Sequence, residues 1–380
     1  MNKLLNEKEL KKLIEKKGLK EDSSEILEEL NALIDSSLST IINNHKKSKR
    51  LKNIDDKKEH IKAKDVLTKD EIENLPSWVK ADVDNASLIG TSKRVIQVSS
   101  GKKYHLNNKL NSLPGAEWTF FLKSVINTRY PTTGAESYAH HIRKVHPSPK
   151  PPQLMQQIIE FFTKENEVVL DYFMGVGGSL IGSALCGRRA IGIDLSEKYI
   201  QTYKEASEYL DLKEQVTIQG NSMELLKSKS LIKEHLNGEE ISLVLIDPPY
   251  GDMLSKPKTG EALKKGKDAS ATPFTDLDED LGNIEWSLFR EVFTNSVVDA
   301  SSMLKKGGHV VVFIKDMQPK DKELNLLHAD VIQDIGKLEN INYIGTKIWA
   351  DEGVNLYPYG YPYSYVSNQI HQYIMIFKKV

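Results

Sequence analysis

From residue 147 onward the chain repeats one pattern. A short apolar run is followed by a glycine-rich or polar break, then by a segment whose apolar residues recur every three or four positions. The short runs predict buried strands at Val168–Asp171, Ala190–Asp194, Gln215–Gln219, Leu243–Asp247, His309–Lys315, Tyr343–Trp349 and Gln372–Lys378. The helical spacing predicts helices at Gln153–Thr163, Gly178–Cys186, a Ser196-capped segment to about Leu210, Trp286–Leu304 and Ala329–Leu338. Strands alternating with helices imply right-handed crossovers. The expected fold class is therefore α/β, Rossmann-like, with a mostly parallel seven-stranded sheet and helices on both faces.

The first 146 residues lack this rhythm. Residues 1–70 are rich in Lys and Glu, with amphipathic helices expected at Asn6–Lys17 and Ser23–Leu38 and a basic run, His45–Lys52, behind them. Residues 71–146 bring in Trp78, Trp118, Phe120, Phe121, Tyr130 and Tyr138 among Gly, Pro and Ser. The stretch Asn127–Lys144 is long, aperiodic and rich in Arg, His and hydroxyls, a profile that suits substrate recognition better than a spacer. The domain plan is thus a helical or irregular extension (1–70), an aromatic and basic segment (71–146) and a catalytic domain (147–380).

Composition narrows the class. With 39% hydrophobic and 28% charged residues the chain reads as an ordinary water-soluble protein, and no run reaches the roughly eighteen apolar residues of a membrane span. The start has one cation and no apolar signal core, so a cytoplasmic location and no membrane partner are expected. A single cysteine, Cys186, excludes a disulfide framework and a cysteine-based metal site, and no metal is expected. The net charge of −1 does not advertise a nucleic-acid binder, although a local basic patch can hide inside a neutral average.

The strand at 243–247 runs into Asp247-Pro-Pro-Tyr250. In open α/β sheets, ligands bind beyond the carboxyl ends of the strands. Two prolines fix φ and remove two backbone donors, leaving rigid carbonyl acceptors beside an acid and an aromatic ring. Such a group suits a flat ring that bears an amine. Upstream, the first strand enters Asp171-Tyr-Phe-Met-Gly-Val-Gly-Gly-Ser179, where glycines let the backbone approach a ligand and the next helix offers free N–H groups. Position 180 is Leu, so the dinucleotide fingerprint is incomplete. Nineteen residues past Gly175, Asp194 ends the second strand, where an acid can take both ribose hydroxyls. An acid before the glycines and another after the next strand suit a nucleoside carrying an amino acid better than NAD.

Asp171-x-Phe173-x-Gly175-x-Gly177, Asp194 and Asp247-Pro-Pro-Tyr250 together resemble the motifs of the S-adenosylmethionine-dependent DNA amino-methyltransferases, which methylate adenine N6 or cytosine N4. Lys150-Pro-Pro is similar to the motif that precedes the cofactor loop in DNA-acting members. The resemblance covers about residues 140–380 and implies the following roles. Phe173 lies against the cofactor's adenine; Gly175 and Gly177 admit its methionine end; Asp171 serves the methionine amine and Asp194 the ribose. Lys150 belongs to the cofactor set, as does Asn221, which stands where the family often has Asp. Asp247, Pro248, Pro249 and Tyr250 form the catalytic set: Asp247 and the Pro248 carbonyl accept the target amine's N–H bonds, and Tyr250 stacks on the extruded base. Lys256, Lys258, Lys264, Lys265 and Lys267, in the segment behind the motif, with Arg129 and Arg143, are expected to contact nucleic acid. The run Tyr357–Tyr365, with tyrosines at alternate positions, suits base stacking or a packed strand edge.

The expected function is site-specific DNA methylation, adenine N6 favoured over cytosine N4, in a modification system whose cognate restriction endonuclease would be a partner. Only seventy-six residues separate Asp171 from Asp247, which leaves no room there for a target-recognition insertion. Cys186 sits between Leu185 and Gly187, without the Pro-Cys setting of covalent carbon-5 chemistry. An RNA guanine-N2 methyltransferase is the nearest alternative, since Asp-Pro-Pro-Tyr-Gly251 is similar to tRNA-modifying relatives as well. A non-catalytic nucleic-acid-binding relative is a third reading. Protein glutamine methylation is more remote, because those enzymes usually carry Asn at the position of Asp247. Oligomeric state and recognition sequence are not legible at this level.

Overall fold

The structure, a computed structural model, describes residues 61–254, 277, 279–317 and 324–380. The two helices expected near the N-terminus, the basic run behind them and Lys256, Lys258, Lys264, Lys265 and Lys267 lie outside the described residues.

An eight-stranded sheet forms the centre. In chain order its strands are β1 (Val125–Thr128), β2 (Val168–Asp171), β3 (Arg189–Asp194), β4 (Val216–Gln219), β5 (Ile241–Ile246), β6 (Leu304–Ile314), β7 (Ile341–Asp351) and β8 (His371–Lys379), arranged β1-β7-β8-β6-β5-β2-β3-β4. β8 is antiparallel to both of its neighbours, and every other pairing is parallel. Seven of the strands are those the apolar runs predict. The eighth, β1, escapes that reading because it is four residues long with no apolar run, an edge strand beside β7.

β5 shows why the sheet is two-sided. All six of its residues are buried. Leu243 and Leu245 join the core cluster containing Leu154, Ile158 and Ile181, whereas Val244 and Ile246 join the one containing Phe289, Phe293 and Val297. Alternation puts each set on its own face, and the pairing register shifts at Ser242 on both sides of the strand. The helices α1 (Pro152–Phe162) and α2 (Gly178–Leu185) cover one face, and the helix Trp286–Ser302 the other. Where α1 crosses α2, a Cβ on Gly182 would lie 2.9 Å from the Gln156 nitrogen and 3.0 Å from the Pro152 oxygen, so the crossing distance needs a glycine.

The segment before residue 146 divides between two bodies of packing. Ser87–Ile89, Val95–Gln97 and Lys103–His105 form an antiparallel meander with a separate small core of Ala63, Val79, Leu88, Ile96 and Tyr104. Beyond it, Asn111 is fully buried: its Oδ1 accepts from the Leu113 nitrogen at 2.9 Å, and its Nδ2 donates to the Phe161 carbonyl at 2.5 Å near the end of α1. The Lys347 ammonium on β7 donates to the Phe121 and Lys123 carbonyls, stopping the helix Gly115–Phe121 just before β1. No described helix is long and apolar enough to cross a membrane.

Asn111→Ala leaves the Phe161 carbonyl and the Leu113 N–H without their partner. We expect a loss of about 1–3 kcal/mol in urea-induced unfolding. An unchanged midpoint would show that Asn111 does not hold this segment to α1.

Candidate active site

The carboxyl ends of β2, β3, β4 and β5 open into a cavity of about 410 Å3. Phe173, Gly175, Asp194, Asn221, Asp247, Pro248, Pro249 and Tyr250 line it, with Lys150 entering from the segment before α1. The sheet order explains the convergence: strands adjacent in space bring their loops together from positions scattered over a hundred residues of chain.

Asp194 performs a task that its spacing from Gly175 foreshadows. Its Oδ2 accepts from the Gly175 nitrogen at 2.8 Å and its Oδ1 from the Ser196 nitrogen at 2.8 Å, so one carboxylate ties the glycine loop to the start of α3 (Glu197–Tyr209). Asp171 is buried, accepting from the Ser179 hydroxyl and, at 3.1 Å, from the Phe173 nitrogen. It reaches only a small neighbouring cavity of about 40 Å3, which Asp247 also lines. Burial raises both acids, Asp194 to about 6 and Asp171 to about 7, with the nearby Asp247 adding to the rise at Asp171. Asn221 caps α4 (Ser222–Ser228) by accepting from the Met223 nitrogen at 2.9 Å, which leaves its Nδ2 for a ligand.

Asp247 is the centre of the site. Its Oδ2 is held by the Lys150 ammonium, the Tyr250 hydroxyl stands beside the carboxylate, and Oδ1 is buried with no hydrogen-bond partner among the described residues. Burial raises the carboxyl, and Lys150 opposes the rise. Lys150 therefore meets Asp247 directly, where the sequence reading assigned it to the cofactor. Tyr250 is only 7% exposed, its ring packed into the core beneath the cavity, and burial raises its hydroxyl well above the ordinary value, with Asp247 adding to the rise.

Two expected roles need correction. Arg143 is 1% exposed and does not face solvent: its Nε donates to the Val176 carbonyl at 3.2 Å and its Nη2 to the Lys150 carbonyl at 2.5 Å. It cannot contact a phosphate, because the glycine loop and the Lys150 segment enclose it. Gly177 lines none of the cavities described; its φ is +71°, and a Cβ there would stand 2.1 Å from Tyr203 Cδ2. The missing side chain admits α3 rather than a ligand. Arg129, by contrast, is exposed.

Other lining residues escaped the sequence reading. His146 lies edge-on to Tyr199, ring centres 5.0 Å apart, and burial lowers it to about 4, so the imidazole is neutral at physiological pH. Lys315 follows β6 and Gln372 stands near the start of β8. His146 sits in the proline-rich run before Lys150, which is a usable signal; nothing local marks Gln372.

The residues present fit S-adenosylmethionine. An aromatic ring, an acid at the end of β3, a free amide N–H2 and an unpartnered carboxylate oxygen surround one cavity, and three raised acids suit a cationic ligand.

Gly177→Ala combines a left-handed φ with the Tyr203 overlap. We expect destabilisation of about 2–4 kcal/mol by thermal unfolding. A loss below about 0.5 kcal/mol would mean that α3 can shift.

A family model described as DNA methylase matches residues 7–205, and one described as RNA cap guanine-N2 methyltransferase matches residues 166–267. The tRNA (guanine(10)-N2)-dimethyltransferase of Pyrococcus abyssi is 26% identical over 198 residues, covering 51% of this chain and 53% of that protein. The type II methyltransferase M2.DpnII of Streptococcus pneumoniae is 38% identical over 63 residues, covering 17% of this chain and 24% of that one. The chain spans about half the length of the first curated relatives it matches. Among solved structures, TrmN from Thermus thermophilus aligns with a TM-score of 0.40 at 15% identity, covering 64% of this chain and 53% of that one. The DNA methylase match spans more than half of the 380 residues and includes Lys150, the glycine loop and Asp194; the chain belongs to the DNA amino-methyltransferase family, and its cofactor is S-adenosylmethionine.

Proposed function

We propose that this protein methylates an exocyclic amine of a DNA base, with adenine N6 favoured over cytosine N4. The observation that carries the reading is the buried Oδ1 of Asp247, which no described residue hydrogen-bonds, set in the wall of the cofactor cavity beside Pro248 and Pro249.

S-adenosylmethionine, when bound, supplies an electrophilic methyl group. Phe173, Asp194 and Asn221 would hold its nucleoside end, Gly175 would admit its methionine end, and Asp171 would take the amine of its methionine. The chain's own task is to make a poor nucleophile competent. The lone pair of a base amine is delocalised into the ring. If Asp247 Oδ1 and the Pro248 carbonyl accept its two N–H bonds, the nitrogen is held pyramidal with its lone pair free. These acceptors are fixed before substrate arrives: the prolines hold the carbonyls, and Lys150 holds the other carboxylate oxygen. Lys150 also opposes the rise that burial imposes on the Asp247 carboxyl. Most of the acceleration then comes from positioning and prearranged electrostatics. Tyr250, packed from below with its hydroxyl beside Asp247, would help to hold the carboxylate in place. Extrusion of a base costs about a few kcal/mol, which contacts with the extruded base offset.

The DNA assignment rests on the family match, on Lys150-Pro-Pro and on an acid, rather than Ser, before the two prolines. A second reading, methylation of guanine N2 in RNA, draws on the match over residues 166–267, which contains Asp247–Tyr250, and on the archaeal tRNA enzymes. The two family matches overlap over residues 166–205, the cofactor half of the site, which is neutral between DNA and RNA. A restriction endonuclease partner is part of the DNA proposal.

Radiolabelled S-adenosylmethionine offered with unmodified genomic DNA or bulk tRNA, followed by digestion to nucleosides, separates these readings. N6-methyladenine or N4-methylcytosine is expected; label confined to N2-methylguanine in tRNA would replace the DNA reading. Asp247→Asn keeps the shape but weakens the acceptor, and we expect turnover to fall by at least about a hundredfold with cofactor affinity little changed. Wild-type turnover in this variant would remove Asp247 from amine activation.

The acids also set a pH dependence. Asp194 and Asp171 are raised, so the free protein keeps their protons to about pH 6 and 7. Their contribution to the stability of the free protein is full below the ordinary carboxyl value and fades as pH rises through those values. A cation benefits only from the ionised forms. Cofactor affinity measured calorimetrically should therefore rise, about fivefold or more between roughly pH 5 and 8, and Asp194→Asn should shrink the rise. A flat profile in the wild type would show that neither acid faces the ligand's charge.

A further inference from the structure

A second cavity, of about 300 Å3, lies over the other half of the sheet. Trp349 and Asp351 at the end of β7, and His371 and Gln372 at the start of β8, form part of its wall, with Tyr130 from the segment after β1. Lys150, Lys315 and Gln372 line both this cavity and the larger one, so the two spaces adjoin at the residue that holds Asp247.

One side-chain atom in this wall is anomalous. Gln372 Oε1 is buried with no hydrogen-bond partner among the described residues, whereas the Tyr130 hydroxyl in the same wall has the Thr128 hydroxyl beside it. Buried polar atoms are normally satisfied, and leaving one bare is costly, so Gln372 Oε1 calls for an external partner. Trp349 is different: its Nε1 already donates to Thr128 Oγ1 at 2.7 Å, leaving its ring as an apolar surface. Burial raises the Tyr130 hydroxyl, which stays protonated and able to donate at physiological pH. The cavity is small for a ligand pocket and suits a single flat ring with its sugar. The loop from β7 to β8 forms its rim through Val354 and Ile370, and that loop carries the exposed Tyr361, Tyr363 and Tyr365.

We infer that this second cavity receives the target base, and that Tyr130 and Gln372 read its edge as specificity-determining residues while Asp247 takes its amine. The inference rests on the nucleic-acid reading proposed above. An amide side chain offers a donor and an acceptor side by side, the pattern that pairs with a nucleobase edge. The ring position beside the amine distinguishes the candidate bases. It is an acceptor in adenine (N1) and cytosine (N3) but an N–H donor in guanine. Gln372 can turn its N–H2 toward the first two or its oxygen toward the third. Glutamate at this position, when ionised, can only accept.

The test uses the full chain and four proteins: wild type, Tyr130→Phe, Gln372→Ala and Gln372→Glu. Steady-state transfer to DNA and to tRNA is measured, together with calorimetric affinity for S-adenosylmethionine. Tyr130→Phe and Gln372→Ala should each lose about tenfold or more in kcat/KM for nucleic acid, the cost of a mispaired base contact, while cofactor affinity in all three variants stays within about twofold. Gln372→Glu should lose activity on adenine or cytosine targets and retain it on guanine, a split that general misfolding cannot produce. If wild type transfers methyl and all three variants match it, the base-reading role is overturned and the proposed function stands. Should wild type transfer nothing, binding of adenosine, cytidine and guanosine monophosphates with S-adenosylhomocysteine present is measured instead. Affinity lost in Tyr130→Phe and Gln372→Ala would keep the nucleobase site while the methylation reading fails; no nucleotide binding would sink both.

Discussion

The ion pair between Lys150 and Asp247 is the constraint on which the site depends. It joins residues ninety-seven positions apart, the proline segment before α1 and the carboxyl end of β5. The Lys150 carbonyl accepts from Arg143, and Arg143 also donates to Val176 in the glycine loop. One buried chain of contacts therefore runs from the cofactor loop, through a guanidinium and an ammonium, to the acid beside the two prolines. Arg143 has carbonyls rather than a carboxylate as partners, and burial lowers it to about 10, which still leaves it cationic at neutral pH. Buried charges of this kind are weak sources of net stability but costly to break singly, by about 3–5 kcal/mol. Their effect is to define where Asp247 points.

Around that line the site holds acids against their tendency to ionise. Asp171 and Asp194 each end a strand, Asp247 directly follows one, and burial raises all three. The carboxylates earn their place by a second use: Asp194 ties the loop to α3, and Asp171 ties Phe173 to Ser179. A cation entering the cavity relieves the strain among like charges that the scaffold tolerates in its absence. Stability and ligand affinity thus respond to pH in opposite directions through the same groups.

The division of labour follows the sheet. β2, β3 and β4 carry the residues that suit a nucleoside, β5 carries the acid, and β7 and β8 frame the second cavity. Lys150 and Gln372 border both spaces, so the two cavities share walls rather than standing as separate pockets. That arrangement favours a reaction that needs two flat ligands held edge to edge.

The amino-acid sequence by itself determined the α/β alternation, seven of the eight strands and the placing of Asp171, Asp194 and Asp247 at strand ends. It could do so because burial on both sides demands continuous apolar runs, and the turns behind them demand Gly, Pro and Asp. β1 was invisible, since a four-residue edge strand needs no apolar run and owes its existence to β7. The roles of Arg143 and Gly177 were misread for a related reason. An arginine in a polar loop looks exposed until the chain folds over it, and a glycine beside a ligand loop looks like a contact until Tyr203 occupies its missing side chain. Lys150 meeting Asp247, and Tyr130 and Gln372 lining one cavity, are juxtapositions of residues far apart in the chain. Only the tertiary structure decides them, because hydrogen-bond satisfaction is a property of space and leaves no periodic trace along the sequence.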